Sequence, residues 1–526
     1  MAREVSWKPQ GANTILGEDV SRLEGIEKAS GFAKYSADVN TPGTLYARIL
    51  ACPHAHAKIK MLDMTAAQKS PGVKAVHTFK DVGDEIEWDG VLVAAVAAET
   101  VEQAEDGIRA IKVEYEVLEH FVDENDLEGA EAAERTKKPQ ESTKGDVEKA
   151  LKEAKAVHKG RYGIHTITHC CMEPHGSHCE WSQDGNDALT AHLSTQNVSG
   201  TGGQFAGPLG VDQSKVTIIC DYIGGGFGSK FAVDEWGVAC AKMAKDAGRP
   251  VRLMLDRATE LKTAGQRPSG FADVTIAADA EGRITAWDSV HWGSNGVKGG
   301  TVAVTQYPYV FDFENRNRKA IGIVTNSGDS RAWRAPNHPQ LCAMTCTVID
   351  YLAAKLEMDS YDVFMKNLDQ TPKPDVYKAE MEIGAELIGW KDKWHPHGKG
   401  EKKGPWKSGL GMALHQWGGA AHAGSCLVKV NPDGTVESTS GSQDIGTGTR
   451  TAIAIVLAET FGIPLEWVKV HIGSSKYPKS GPSGGSTTIG GVSGPNRRAA
   501  LEALWKIFDL VAAKYKVHAD DLEAVD

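Results

Sequence analysis

Three glycine-rich segments, each lying at or near a strand-to-helix junction, constrain this chain most. The first is Tyr222-Ile223-Gly224-Gly225-Gly226-Phe227-Gly228-Ser229-Lys230, between a strand predicted over 215–220 and a helix predicted over 233–247. The second is Gln443-Asp444-Ile445-Gly446-Thr447-Gly448-Thr449, ahead of a helix predicted over 449–461. The third is Ser480-Gly481-Pro482-Ser483-Gly484-Gly485-Ser486-Thr487-Thr488. Glycine lets backbone N–H groups approach a ligand with no Cβ in the way. Small hydroxyls beside bare amides hold phosphate or a polar heterocycle. Taken singly, each segment also reads as a tight turn or a surface loop. Three in one chain point to a long, polar, anionic cofactor threaded between domains.

Two familiar readings of the first segment fail. A P-loop needs Gly before its Lys and Ser or Thr after it, whereas Ser229 precedes Lys230 and Phe231 follows. A dinucleotide fingerprint forced as Gly224-x-Gly226-x-x-Ser229 lacks its third Gly and a clear acid on the next strand.

The remaining sequence bounds the class of protein. A chain of 526 residues has room for about three or four domains. Its formal net charge of −11 argues against a nucleic-acid or anionic-membrane binder, and the basic runs at 135–138 and 402–403 read as solvated loops. No apolar stretch approaches the ~20 residues of a membrane span. Residues 1–7 lack the apolar core of a secretory leader, so a cytoplasmic location is the default expectation. The nine Cys are scattered without a C-x-x-C pattern, with Cys342 and Cys346 in an apolar helical run and Cys170-Cys171 adjacent. Buried reduced thiols are expected, rather than a zinc site or a Cys-ligated cluster.

The pattern predicts multi-domain α/β to α+β architecture. A first unit covers 15–122, with strands at 45–50, 91–98 and 111–117 and a helix at 101–111. Residues 123–157 read as a surface connection with helical pieces. A second unit covers 158–395, with a helix ended by Gly248-Arg249-Pro250 and a longer one over 339–356. Residues 399–407 read as a linker. A third unit covers 405–526, with strands at 425–430 and 435–440 around Asp433-Gly434, and a final helix over 495–514.

Together the glycine clusters resemble those of the large molybdopterin-binding subunit of the xanthine dehydrogenase and aldehyde oxidase family. Arg22-Leu23-Glu24-Gly25, Gly31-x-Ala33-x-Tyr35 and Pro53-His54-Ala55-His56-Ala57 resemble its hammerhead-like N-terminal domain, and Met172-Glu173-Pro174-His175-Gly176 is a further family stretch, read as shaping a turn. The resemblance implies a hammerhead-like α/β domain followed by two molybdopterin-binding domains, the second incomplete. It implies catalytic roles for Gln196, in Thr195-Gln196-Asn197, as a hydrogen-bond donor to a molybdenum-bound oxygen, and for Arg334, in Trp333-Arg334-Ala335-Pro336, beside the pterin. It implies cofactor contacts from Gln196, Gly225, Gly226, Phe227, Gly228, Arg334, Gly446, Thr447, Gly448, Thr449, Gly485, Ser486 and Thr487. No protein side chain is expected to ligate the metal, which the pterin dithiolene holds.

The implied cofactor is a molybdopterin-type molybdenum cofactor, with the cytosine dinucleotide as one form of it. The implied reaction is oxidative hydroxylation with water as the oxygen source, electrons leaving through [2Fe-2S] and FAD centres on partner chains. Two features depart from the family pattern. Phe231 stands where purine-oxidising members carry Glu, which disfavours xanthine and suits an aldehyde or N-heterocycle in a pocket that Phe231 and Trp333 would line. The segment around Arg334 also lacks the Cys loop of aerobic carbon monoxide dehydrogenases. The larger departure concerns the family's general base, a Glu in a Gly-Glu motif that follows further strands: Glu523, in the final stretch 517–526, has no Gly before it and comes too early in the family pattern to be that base. A further chain completing the C-terminal domain, a shortened chain, or a non-catalytic relative are the alternatives this leaves.

Overall fold

The computed structural model describes residues 5–9, 11–300 and 306–524. Of the stretches read above, 1–4 and 525–526 lie outside the described residues. A seven-stranded sheet runs in the order Val216–Ile219, Leu189–Leu193, Gly176–Trp181, Val251–Met254, Leu45–Ala51, Leu92–Ala98, Val73–Thr78. The strand Leu45–Ala51 pairs in parallel with Val251–Met254, so the N-terminal stretch and the middle of the chain share one sheet. All seven residues of Leu92–Ala98 are buried, as expected for an uninterrupted apolar run. Leu45, Leu92, Leu193, Phe205, Val251 and Leu253 belong to one core beneath the helices Val198–Leu209 and Asp234–Ala247.

A five-stranded sheet, in the order Gln140–Lys144, Arg316–Ile323, Ile284–Ser294, Gly270–Ala278, Ala156–Ile164, packs against the helix His338–Lys355. A three-stranded sheet of Leu427–Val430, Val436–Thr439 and Val468–His471 packs against Thr449–Phe461 and Thr488–Tyr515 around Val436, Leu457 and Leu504. A further small sheet, Glu85–Ile86, Ala57–Asp63 and Lys112–Val117, completes the N-terminal part. No helix among the described residues is long and apolar enough to cross a membrane.

Most predicted elements stand within one or two residues of their expected bounds, and Gly248 caps its helix in the left-handed conformation. Two differ. The connection at 123–157 does hold helices, Leu127–Ala132 and Val147–Glu153, but also the edge strand Gln140–Lys144. That strand is almost wholly exposed and polar, so it carries no alternation to read. The final helix begins at Thr488, seven residues before Pro495, which therefore lies inside it. Gly490, Gly491, Gly494 and Pro495 read as breakers; burial of Val492, Leu501 and Leu504 carries the helix through them.

Candidate cofactor site

The first glycine-rich segment leaves the sheet after Val216–Ile219 and is held from beneath by a buried charged pair. The Glu173 carboxylate accepts from the Gly224 N–H (2.7 Å) and from Ser194 Oγ (2.7 Å). Lys230, 1% exposed, donates Nζ to the Glu173 carbonyl (2.8 Å) and to Ser194 Oγ (2.7 Å). Burial pushes the Lys230 ammonium below its ordinary pKa, and Glu173 works against that shift. On the other side His175 bridges Glu260 through Nδ1 (2.8 Å) and Ser229 Oγ through Nε2 (2.8 Å). His175 is buried and serves the turn, while burial holds its imidazole below the usual pKa.

With both ends fixed, the middle of the loop stands open. Phe227 lies at φ +52° and Gly228 at φ +114°. The N–H groups of Gly225, Gly226 and Phe227 have no partner among the described residues, whereas the Gly228 N–H donates to Gln196 Oε1 (2.8 Å). The Phe227 carbonyl accepts from the Arg334 N–H at 2.7 Å. Successive free N–H groups on a turn of this kind form a concavity for an anion or an oxygen ligand.

Gln196 joins the first segment to the third. Its Oε1 serves Gly228, its Nε2 donates to the Ser483 carbonyl (2.7 Å), and its own carbonyl accepts from the Ser483 N–H (2.8 Å). A second Nε2 hydrogen remains. Gln443 joins the third segment to the second: Nε2 donates to Ser483 Oγ (2.6 Å) and Oε1 accepts from the Val198 N–H (3.0 Å). The three segments thus converge on one junction. The sequence reading named the segments but not the tie between Gln443 and Ser483, because nothing local distinguishes a stapling amide from a surface one.

In the second segment the buried Asp444 accepts from the N–H groups of Gly446 (2.9 Å), Gly448 (3.1 Å) and Arg450 (3.3 Å). Burial opposes its ionisation, but these N–H groups and Lys28 outweigh burial and hold its pKa below the usual value. The Gly446 and Gly448 amides therefore turn inward to Asp444, while Thr447 is exposed and Thr449 buried. Arg22, from the N-terminal part, donates to the Gly446 carbonyl at 2.8 Å. In the third segment Gly485 and Ser486 are exposed, both at positive φ, just ahead of the helix Thr488–Tyr515.

Arg334 is exposed, and its guanidinium has no partner among the described residues. Its backbone is fixed by the buried Arg267, which donates to the Arg334 carbonyl (2.6 Å) and the Ala335 carbonyl (3.2 Å). Burial lowers the Arg267 pKa to about 10, which leaves it a cation at neutral pH. The Trp333 ring has the Arg267 guanidinium 4.4 Å from its centroid and stacks on Phe227 at 6.1 Å. Phe231 presses on Gly484, where a Cβ would come within 2.4 Å of its ring.

The junction also carries buried polar atoms with no protein partner: Ser442 Oγ, Thr449 Oγ1, Ser480 Oγ, His422 Nε2, Arg450 Nη1 and Trp333 Nε1. Each costs about 1–3 kcal/mol if left unpaired, and a polar ligand at the converging loops would satisfy them, although other such atoms lie elsewhere in the chain. Among the described residues no group of three or more His, Cys, Asp or Glu is placed to hold a metal ion.

Fold and site together define a chain of α/β domains whose three glycine-rich segments meet at one polar junction. Residues 30–89 match the a/b hammerhead domain of aldehyde oxidase and xanthine dehydrogenase, and 130–368 and 384–526 each match a molybdopterin cofactor-binding domain. The chain is 31% identical to the aldehyde oxidoreductase molybdenum-binding subunit PaoC of Escherichia coli (strain K12), over 91% of this chain and 69% of that protein. It is 30% identical to the nicotinate dehydrogenase large molybdopterin subunit of Eubacterium barkeri, over 68% of this chain and 90% of that one. Quinoline 2-oxidoreductase from Pseudomonas putida 86 superposes with a TM-score of 0.81 at 20% identity, covering 98% of this chain and 73% of that one. The chain belongs to the molybdopterin-binding large subunits of the xanthine dehydrogenase and aldehyde oxidase family, with the hammerhead domain and two cofactor-binding domains that the resemblance implied.

Proposed function

We propose that the junction holds the molybdenum cofactor and that the chain takes part in oxidative hydroxylation of an aldehyde or an N-heterocycle. The observation that carries this is the convergence of the three glycine-rich segments, the first joined to the third by Gln196, which keeps one amide hydrogen free, and the third to the second by Gln443, with the free N–H groups of Gly225, Gly226 and Phe227 on the first. When bound, the cofactor supplies two-electron oxidation with water as the oxygen source. The chain's own residues do the rest. Gln196 and the 225–227 amides donate hydrogen bonds without adding charge. Arg334 offers a cationic fork to an anionic group. Thr447, Thr449, Gly485, Ser486 and Thr487 face the pterin and its phosphates, in the cytosine dinucleotide form among others. Phe231 and Trp333 give the substrate an apolar wall, which favours an aldehyde or heterocycle over a purine.

The reaction also needs a proton acceptor. The buried carboxylates around the loop are committed: Glu173 to Ser194, Gly224 and Lys230, and Glu260 to His175 and Arg257. In this reading a further chain or segment supplies the glutamate base, and iron–sulfur and FAD partner subunits take the electrons. The second reading is a chain that holds the cofactor without turnover. Metal analysis of the purified complex tests the first step: stoichiometric molybdenum is expected, and a complex with neither molybdenum nor tungsten refutes it. Turnover of aldehydes and N-heterocycles with an artificial electron acceptor then separates the two readings.

A further inference from the structure

A cavity of about 280 Å³ lies where the N-terminal part meets the first cofactor-binding domain. Trp88 and Val91 line it from the N-terminal part. Asp234, Glu235 and Trp236, at the start of the helix Asp234–Ala247, line it from the other, with Asp329 and Arg331 ahead of the Arg334 turn. None of its lining residues belongs to the three glycine-rich segments. A seam between domains is a common place for a small-molecule site.

The chemistry of the lining is one-sided. It holds three carboxylates and one guanidinium. That guanidinium is already committed: Arg331 donates to both Asp234 oxygens (2.6 and 2.9 Å) and to the Ser229 carbonyl (3.1 Å). Asp234 stands at φ +62°, a costly conformation that this pairing helps to hold. Lys298 takes one oxygen of Asp329, while the other, Oδ1, is buried without a partner. The Glu235 carboxylate, at the rim, has neither a hydrogen bond nor an ion pair among the described residues. Partial burial, with Asp234 beside it, raises its pKa, against the opposing pull of Lys80 and Arg331. A cation brought from outside would stabilise a carboxylate so placed.

The remaining lining is apolar. Val91 is buried, and Trp88 is half-buried with its indole Nε1 unpaired. An indole face attracts a cation as well as an apolar body, and the Arg331 guanidinium already lies 5.6 Å from the centroid of Trp236. An anion here would meet Glu235 and Asp329. A neutral apolar molecule would strip more water from Glu235 and give it nothing in return.

We propose that this cavity is a second ligand site, for an organic cation whose ammonium group pairs with Glu235 and whose apolar body lies against Trp88 and Val91. The site is distinct from the cofactor junction and does not depend on the reaction proposed above. It adjoins the first glycine-rich segment through Arg331, which ties Asp234 to the Ser229 carbonyl.

Titration calorimetry on the purified complex at pH 7 compares 2-phenylethylamine, a cation, with its neutral counterpart 2-phenylethanol and with the anion 3-phenylpropanoate. The amine is expected to bind about tenfold more tightly than the alcohol, and the anion not to bind. Glu235→Gln, a rim change that leaves the buried lining intact, should cut the amine's advantage to about threefold or less. Glu235→Lys should abolish amine binding. Hydrogen exchange locates the ligand: the amine should protect peptides spanning 86–92 and 326–332. The proposal is overturned by no saturable binding of the amine, by equal binding of amine and alcohol, or by an advantage unchanged in E235Q. Protection of 483–487 without 86–92 overturns it as well. A complex without molybdenum refutes the reaction above and leaves this test intact.

Discussion

Replacing Gly228 with alanine would set a Cβ 2.2 Å from the Ala332 carbonyl oxygen and 2.6 Å from its carbon. Both are backbone atoms, held by the same turn that Arg267 fixes, so neither can swing aside. The residue is also at φ +114°, where an L side chain adds roughly 1–3 kcal/mol of strain. Separating the two segments breaks the bonds from the Gly228 N–H to Gln196 (2.8 Å) and from the Arg334 N–H to Phe227 (2.7 Å), each worth roughly 0.5–1.5 kcal/mol. The expected local cost is roughly 2–6 kcal/mol, or about 30-fold to more than ten-thousandfold in opening. Gly225→Ala is the internal control. It too is at positive φ, +98°, but its Cβ meets the edge of the Phe227 ring at 3.0 Å rather than backbone, a half-exposed side chain that can give by a few tenths of an ångström. Its cost is the strain alone, roughly 1–3 kcal/mol. A chain of several domains has no single unfolding free energy, so hydrogen exchange of the peptides spanning 225–230 and 332–336 is the suitable assay. Equal loss of protection in G225A and G228A would refute the claim that backbone contact between these segments holds the site.

Two further outcomes follow from the buried charges. Lys230→Met leaves the Glu173 carboxylate buried without its cation and is expected to cost about 3–5 kcal/mol, seen as a lower melting temperature and lower molybdenum content; adding Glu173→Gln should recover part of the loss, and a strictly additive double variant would contradict the pairing. Asp444, whose pKa is lowered in the fold, stabilises its turn fully above the unfolded value of about 3.9, and that stabilisation is lost as pH falls through the lower folded value. Exchange protection at Gly446, Gly448 and Arg450 should thus be flat from pH 7 to 5 and fail only in stronger acid, while D444N loosens the same amides at every pH.

The parts of this site that the sequence revealed are those whose signal is local. A glycine cluster after a β-branched run announces an open turn wherever the rest of the chain lies, so residues 224–228, 446–448 and 484–485 were legible. The helices at 101–110 and 234–247 were legible for the same reason, through periodicity and caps. What tied the segments together was not. Gln443 and Ser483 are 40 residues apart, and Arg267 acts on a turn 67 residues further on; each is an ordinary polar residue until the fold brings its partner. The parallel pairing of Leu45 with Val251 is non-local in the same way. The strand Gln140–Lys144 was hidden because an exposed edge imposes no alternation, and the start of the last helix because its glycines and Pro495 oppose local propensity.

Gln196 shows why position and chemistry cannot be separated here by loss of activity alone. One end of its amide orders the first glycine-rich segment through Gly228, and the other orders the third through Ser483. Only one Nε2 hydrogen remains for a ligand. Alanine at 196 would release both segments and remove that hydrogen together, so a dead Q196A variant fits a structural and a chemical role equally. Glutamate narrows the damage to the third segment but does not separate the two roles. It keeps an acceptor for the Gly228 N–H, but it sets an oxygen against the Ser483 carbonyl at a separation that now holds a 2.7 Å hydrogen bond. Local exchange at 483–487 reports that repulsion directly. A variant that loses turnover while exchange at 226–228 and 483–487 stays native is the result that would assign the remaining hydrogen to chemistry.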